Sequence, residues 1–345
     1  MNLAEFKSTY QKVPVKHFPN KVSDDSLVSV CVQTYQHAAF IKDCLDGILM
    51  QQTNFPFEIL LGEDASKDGT REICIKYAKR HPDTIRLFLH RRENNIEVDD
   101  RPTGRFNLLY NLFSAKAKYI AICEGDDYWT DPNKLQKQVD LFEANPNFSL
   151  VVGGYETVTD KKENIYFNGA LANNSSPRGY IFSLEDTRKN WITQPLTSMF
   201  RREKIENIEI NRYKYFRDVH LFYHLLKEGD GFYLASILGV YRLHEGGMFS
   251  SLKIEEKKLI NFYVYQELYE ANLDEYCRYR YLIFAKILLS YYSWHKIGNR
   301  DISRFYLLKI SFHIVENARE FFSVIKASLT VIDKIRTKLK LIFSN

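Results

Sequence analysis

The sequence predicts an α/β fold with a largely parallel sheet, on three observations. From Val28 onward, β-branched runs alternate with segments whose apolar residues recur at helical spacing. Repeated strand–helix–strand units join through right-handed crossovers and therefore build parallel sheets. Finally, three of the strand-like runs end in polar or acidic residues, at Thr34–Tyr35, Glu63–Asp64 and Glu124–Asp127. Ligands of such sheets bind beyond the carboxyl ends of the strands, so this convergence predicts a single site.

The first strand is Val28–Val32, running into Gln33–Thr34–Tyr35–Gln36. Phe40, Ile41, Cys44, Leu45, Ile48 and Leu49 then mark a helix. Phe57–Leu61 is the second strand. Ser66 and Asp68–Gly69–Thr70 read as turn and cap before a helix that buries Ile73, Cys74, Tyr77 and Ala78. Ile85–Leu89 is the third strand, and Arg105–Ala117 a helix with Phe106, Leu109, Tyr110 and Phe113 inward. Tyr119–Cys123 is the fourth strand. Pro132 suits a first helical turn and opens a helix through Ala144. Ser149–Tyr155 is a further strand.

Thr157–Lys189 is polar and turn-rich, with its loop at Asn173–Pro177. Leu196–Arg201 reads as a strand, Asp218–Glu228 as a helix, and Phe232–Ala235 and Ile237–Tyr241 as two short strands. After Met248 the pattern becomes near-continuous helix. The expected division is an N-terminal extension (1–24), an α/β domain (25–255) and a mostly helical C-terminal region (256–345).

Composition narrows the class. An apolar content of 45% with 26% charged residues belongs to an ordinary folded chain of 345 residues. The net charge of +5 is too small for a dedicated nucleic-acid binder, so no nucleic-acid partner is expected. Twenty-three tyrosines and twenty-four phenylalanines suit packing, and also carbohydrate stacking. Five cysteines without C-x-x-C spacing fit a reducing compartment better than a disulfide framework or a zinc site. Glu5 and Lys7 stand where a secretory signal would be apolar, and Tyr281–Tyr292, broken by Lys286, is too short to span a bilayer. A cytoplasmic location follows as the expectation.

The stretch Tyr119–Asp127 carries the most chemistry. An apolar strand runs straight into Glu124, Asp126 and Asp127. Carboxylates this close repel one another unless a cation sits among them. At the end of a buried parallel strand, a divalent metal carrying phosphates answers that need. A solvated acidic turn is the plainer alternative.

Three strings occur in order: Val28–Tyr35, Leu61–Thr70 and Glu124–Asp127 followed by Tyr128–Trp129. Together they resemble the inverting family-2 glycosyltransferases of GT-A fold, typically bacterial enzymes of cell-surface polysaccharide assembly. The resemblance covers Val28 to Ser250. It departs from the usual pattern at Gln33 and Gln36, where Pro and Asn are common, and at Glu63 and Glu124, where Asp is common.

The resemblance implies a nucleotide-sugar donor, UDP-linked by preference, a saccharide or lipid-linked saccharide acceptor, and Mn²⁺ or Mg²⁺ as cofactor. Asp126 matches the metal-binding Asp. Glu124 would face the ribose or a metal-bound water, and Asp127 the sugar or the outer shell. Asp64 resembles the acid that reads the base; capping the following helix is its other reading. Thr34 and Tyr35 would meet the nucleobase, although packing explains Tyr35 nearly as well. Arg105, with Asn107, would lie near phosphate at a helix start; a solvated arginine is the alternative. Asp218 matches the general base of single displacement, and equally an ordinary acid at a helix N-terminus. His244, in Tyr241–Arg242–Leu243–His244, would ligate the metal or the diphosphate, with Gly246–Gly247 allowing loop closure. Trp129 would stack on sugar or belong to the core.

The C-terminal helices would pack on the catalytic domain or join copies in a homo-oligomer. At the end, Ile325, Leu329, Ile332, Ile335, Leu339 and Ile342 form an apolar stripe beside Lys326, Lys334, Arg336, Lys338 and Lys340. That pattern suits a peripheral contact with an anionic membrane, and also a packed helix with a solvated face. Two other functions compete. A sugar-nucleotide pyrophosphorylase would need a Gly-rich basic loop near the amino terminus, which Gln33–Tyr35 lacks. A catalytically inactive carbohydrate-binding module would not need Asp64, Asp126 and Asp218 together.

Overall fold

The computed structural model describes residues 1–159, 166–167, 178–188, 192–247, 252–290, 295–297 and 300–343, with side chains omitted at a few of these and after 330. The chain divides into two compact units. The first comprises Met1–Glu97, Pro102–Ile210 and Arg217–His244; the second comprises Val98–Arg101, Asn211–Phe216 and Glu245–Asn345.

In chain order the first unit opens with α1 (Leu3–Tyr10), β1 (Lys16–His17), β2 (Val28–Thr34), α2 (Ile41–Leu49), β3 (Phe57–Glu63), α3 (Thr70–Arg80) and β4 (Ile85–Leu89). The short strands β5 (Glu97–Val98) and β6 (Arg101–Pro102) precede α4 (Arg105–Ser114), β7 (Tyr119–Ile122), β8 (Tyr128–Trp129) and α5 (Lys134–Ala144). Then come β9 (Phe148–Thr159), β10 (Tyr166–Phe167), β11 (Gly179–Phe182), β12 (Met199–Arg201), α6 (Asp218–Lys227) and β13 (Asp230–Leu243). The second unit carries α7 (Ile254–Asn272), α8 (Glu275–Leu289), a hairpin of β14 (His295–Ile297) and β15 (Arg300–Ile302), α9 (Arg304–His313) and α10 (Ala318–Phe343).

The main sheet runs β1-β4-β3-β2-β7-β12-β9-β13-β11, with β10 on β9 and β8 on β13. Strands β4, β3, β2 and β7 are mutually parallel. Helices on both faces explain why β2 reads as an unbroken apolar run: six of its seven residues are buried. Register places Thr34 opposite Glu63, so β2 and β3 deliver their polar ends to the same edge. Strand β12 enters antiparallel between β7 and β9. The two short strands expected at Phe232–Tyr241 are one long strand, β13, whose register shifts between Leu234 and Ile237. An irregularity of this kind breaks the alternation without ending the strand.

The amino-terminal stretch is more than an extension. Phe6 of α1 is fully buried and stacks on Phe106 and Phe113 at 5.2 and 5.4 Å. All five cysteines are free and buried. Trp129 belongs to the core: it is 1% exposed and its indole N–H donates to the Leu196 carbonyl at 2.8 Å. Sugar stacking by Trp129 is thereby ruled out.

In the second unit, α7 and α8 bury Phe262, Tyr265, Tyr281 and Phe284. The buried Arg278 guanidinium is held by Glu275 and by Glu320 of α10, which satisfies a charge that would otherwise be costly to bury. The near-continuous helix expected after Met248 is interrupted by the β14–β15 hairpin. The loop at Asn173–Pro177 and Met248–Ser250 lie outside the described residues, as do the side chains of the basic stripe beyond Thr330. No helix among the described residues is long and apolar enough to cross a membrane.

One core residue has a measurable consequence. Lys134 is fully buried, donates to Gln138 Oε1 at 2.7 Å and lies 4.0 Å over the Trp129 ring. Burial pulls its pKa down to about 7, against the weaker opposing fields of Cys123 and Asp131. Between that value and the ordinary lysine range the unfolded chain holds a proton that the folded protein lacks, so stability rises with pH there. Lys134→Met should flatten this rise and stabilise the protein at pH 7, checked by urea midpoints between pH 7 and 10. An unchanged slope in the variant would refute the assignment.

Candidate functional site

The carboxyl edge of the parallel strands is stitched together by backbone. Asp64 N–H donates to the Thr34 carbonyl at 3.1 Å. On the other side of β2, Cys123 N–H donates to Cys31 O at 3.1 Å and Gly125 N–H to Gln33 O at 3.0 Å. The acidic turn after β7 is therefore zipped along the end of β2. Only glycine fits at 125: a Cβ there would stand 2.7 Å from both Thr34 Cβ and Oγ1, and 3.0 Å from His37 Nδ1.

Two groups of candidate metal donors share Asp126. Glu124, Asp126 and Asp127 each offer an oxygen within 4.8 Å of the others, and so do His37, Asp126 and His244 with their ring nitrogens and carboxylate. His244 Nε2 lies 3.1 Å and His37 Nε2 3.9 Å from Asp126 Oδ2. Asp127 is 1% exposed; its Oδ1 accepts from the Arg242 backbone N–H at 2.9 Å, while its Oδ2 has no partner. Arg242 also donates through Nη1 to the Asp126 carbonyl at 2.9 Å, and its guanidinium lies 4.2 Å over Tyr128. The long strand β13 thus brings Arg242 and His244 to the acidic turn.

The electrostatics show how crowded the negative charge is. Burial, then Asp126 and Asp218, push Glu124 up to about 8. Burial, then Asp126 and Glu124, raise Asp127 well above its ordinary range. Burial also works to raise Asp126, but the His244 hydrogen bond, the His37 field and its own backbone N–H outweigh it and leave the group low. Burial lowers His37 from the ordinary histidine range, against the opposing field of Asp126. Carboxylates held near one another, the ring nitrogens of His37 and His244, and the unpartnered buried Asp127 Oδ2 fit a divalent cation.

Asp64 forms an ion pair with Arg92 and accepts from Asn95 Nδ2 at 3.3 Å. Burial raises its carboxyl to about 6, partly offset by Arg92. The Arg92 guanidinium also lies 4.1 Å over the ring of Tyr35, which is 41% exposed. Helix capping falls instead to Asp68, whose Oδ1 accepts from Thr70 N–H and Oγ1 at 3.1 and 2.6 Å. Glu63 is fully buried, paired with Arg71 and accepting from Ser66 N–H at 2.6 Å.

Asp218 opens α6, with Arg217 Nε donating to its Oδ1 at 3.0 Å. Its charge acts on Glu124, which brings α6 to the acidic turn. Two residues on, His220 is buried and its Nδ1 accepts from Arg217 N–H at 3.3 Å; burial drives its pKa down to about 3. Arg105 opens α4, and its charge is felt by His220 and Tyr10. Asn107 is buried and donates to the Gly62 carbonyl at 2.8 Å, which ties α4 to β3 and keeps it from phosphate.

Thr34, Asp64, Glu124, Asp126, Asp127, His244 and Asp218 are therefore brought to one edge. The sequence reading assigned no role to His37, Arg92, Asn95 or Arg242. Arg242 stands inside the quoted Tyr241–His244 segment and His37 two residues beyond a recognised string, whereas Arg92 and Asn95 follow β4 with no sequence signal beyond their nearness to a strand end.

Comparison with known proteins agrees with this architecture. The family model described as "Glycosyl transferase family 2" matches residues 29–209. An uncharacterized protein of Mycobacterium tuberculosis is 30% identical over 236 residues, covering 68% of this chain and 62% of its own length. The chain thus spans about six-tenths of that relative. The putative teichuronic acid biosynthesis glycosyltransferase TuaG of Bacillus subtilis is 26% identical over 244 residues, covering 70% of this chain and 88% of its own. Among solved structures, S. aureus TarS 1-349 in complex with UDP-GlcNAc is similar in fold, with a TM-score of 0.53 at 17% identity over 87% of this chain and 79% of that one.

The crowding at Gly125 is testable. Gly125→Ala should cost about 1–3 kcal/mol of stability, because Thr34 and His37 must both move. A chemical unfolding midpoint equal to the parent's would show that the turn has room to spare.

Proposed function

This chain belongs to glycosyl transferase family 2 and has the GT-A fold, and from that premise we propose an inverting transfer of a hexose or N-acetylhexosamine. The donor is a nucleotide sugar, with UDP as the preferred nucleotide. The acceptor is a saccharide or lipid-linked saccharide of cell-surface polysaccharide assembly. The observation that carries the reading is the crowded acidic turn Glu124–Asp127, within reach of His244 and of the Asp218 charge, on the edge where Thr34 and Asp64 also lie. The similarity to TuaG supports the polysaccharide setting, and the likeness to a UDP-GlcNAc-bound TarS supports a UDP donor.

Asp126 and His244 are the residues that would hold Mn²⁺ or Mg²⁺. Such an ion supplies neutralisation of the diphosphate as negative charge builds on the leaving group. Tyr35 and Arg92 form an exposed stacked pair suited to a flat nucleobase, with the Asp64 carboxyl beside them to accept a base N–H. Thr34 lines the same strand end. Arg105, at its helix start, is assigned to the phosphate side.

The base assignment follows from accessibility. Asp127 is buried and its Oδ1 already accepts from the Arg242 backbone N–H, which leaves it poorly placed to meet an acceptor hydroxyl. Asp218 is partly exposed and its Oδ1 is oriented by Arg217, leaving Oδ2 to take the proton of an incoming hydroxyl. Inversion needs this carboxylate on the face opposite the departing diphosphate.

A membrane setting is also proposed for the second unit. Phe305, Phe312 and Phe322 are exposed on α9 and α10, interleaved with exposed Lys309 and Lys326. Aromatic rings and lysines together suit the headgroup region of an anionic bilayer, where each basic residue contributes about 1 kcal/mol.

Asp218→Asn should abolish sugar transfer while nucleotide-sugar affinity, measured calorimetrically, stays within about threefold; near-normal turnover would end the assignment. A panel of nucleotide sugars assayed with Mn²⁺ or Mg²⁺ should release free UDP from one donor. Pyrophosphate exchange with UTP in its place would favour a nucleotidyltransferase. In vesicle sedimentation, the Phe305→Ser/Phe322→Ser protein should bind anionic vesicles more weakly than the parent; equal binding would remove the membrane role.

A further inference from the structure

Resting on the reading of this edge as a donor site, we propose that His37 is a metal ligand. With Asp126 and His244 it forms a two-imidazole, one-carboxylate centre that takes a first-row transition ion, Mn²⁺ among them, in preference to Mg²⁺.

The distances suit one shared ion. Nitrogen and oxygen ligands bind such ions at about 2.0–2.2 Å, so two ligands of one ion stand roughly 3–4.4 Å apart. The separations from Asp126 Oδ2 are 3.1 Å to His244 Nε2 and 3.9 Å to His37 Nε2. The two rings are nearly perpendicular, at 84° with centroids 6.1 Å apart, so neither blocks the other's nitrogen.

His37 is held the way a ligand is held. Its backbone N–H donates to Thr70 Oγ1 at 2.8 Å, and Thr70 is fixed in turn by Asp68. The His37 carbonyl accepts from Phe40 and Ile41 N–H at 2.9 and 2.8 Å, anchoring the residue at the entry to α2. Phe40 packs its ring 4.6 Å from that of His244. On the far side, His37 Nδ1 is buried without a partner, and so is Thr34 Oγ1. Both lie within 3.0 Å of the point a Gly125 Cβ would occupy. A proton on this inward-facing Nδ1 is the tautomer that leaves Nε2 free to ligate.

The competing donor set is made of oxygens alone, Glu124, Asp126 and Asp127, and would suit Mg²⁺. It is the weaker choice, because Asp127 is buried and its Oδ1 is already committed to Arg242 N–H. Imidazole nitrogen favours transition ions, whereas Mg²⁺ prefers oxygen and retains its water.

The test uses the full chain with metal alone, without nucleotide sugar. Pulsed electron paramagnetic resonance of the Mn²⁺-loaded protein should show two coupled imidazole nitrogens. Competition should show Mn²⁺ binding at least about tenfold tighter than Mg²⁺. His37→Gln, with an unchanged circular dichroism spectrum, should keep one coupled nitrogen and bind Mn²⁺ about 10–100-fold more weakly. A single nitrogen in the parent protein, or equal affinity for the two ions, overturns the proposal, and the parent measurement stands even if the variant fails to fold. UDP release by a one-nitrogen protein would sink the His37 assignment and leave the transferase reading intact. Two nitrogens without turnover of any donor would do the reverse.

Discussion

Negative charge concentrated where a buried strand ends is the constraint around which the first unit is organised. Glu124, Asp126 and Asp127 sit within 4.8 Å of one another, with Asp127 buried and the other two half-buried. Burial alone would neutralise all three, as the upward displacement of Glu124 and Asp127 shows. Asp126 escapes because His244 and His37 face it. One carboxylate is thus kept anionic between two that are pushed toward protonation, an arrangement that concentrates ligand strength on a single side chain.

That outcome needs parts from distant segments. Strand β2 supplies the rail along which the acidic turn is zipped, through the Cys31 and Gln33 carbonyls. Strand β13, with its irregular register, runs parallel to β9 far enough to carry Arg242 and His244 to the turn. The Arg242 backbone N–H caps Asp127, and its guanidinium bridges the Asp126 carbonyl to Asp43 at 2.9 and 2.5 Å. Helix α6 presents Asp218 from a third direction. Each part is rigid secondary structure up to its last residue, which is how a site spanning more than two hundred positions of sequence holds its geometry.

Asp64 illustrates a second balance. It is buried enough to be raised to about 6, yet it stays paired with Arg92, whose guanidinium also covers Tyr35. Tyr35, Arg92 and Asp64 therefore form one connected group at this strand end. The polar residues around it have other work: Glu63 holds Arg71, Asn107 holds Gly62, and Asp68 caps α3.

Local patterning was enough to make the α/β class, the order of the parallel strands' segments and the acidic turn legible, because strand and helix periods and strand-end acids are written within a few residues of one another. The Val28, Phe57, Ile85 and Tyr119 strands begin where their β-branched runs begin. Pairing was not legible. That β12 slips antiparallel between β7 and β9, that β13 is one strand and not two, and that α1 is packed through Phe6 depend on contacts between residues tens to hundreds of positions apart. Side-chain fate was equally a tertiary matter. Trp129 could have faced a sugar or the core, and only the Leu196 carbonyl and the Lys134 ammonium around it decide for the core. His37, three residues beyond the end of β2, becomes a candidate ligand only because glycine at 125 lets its ring close on Asp126.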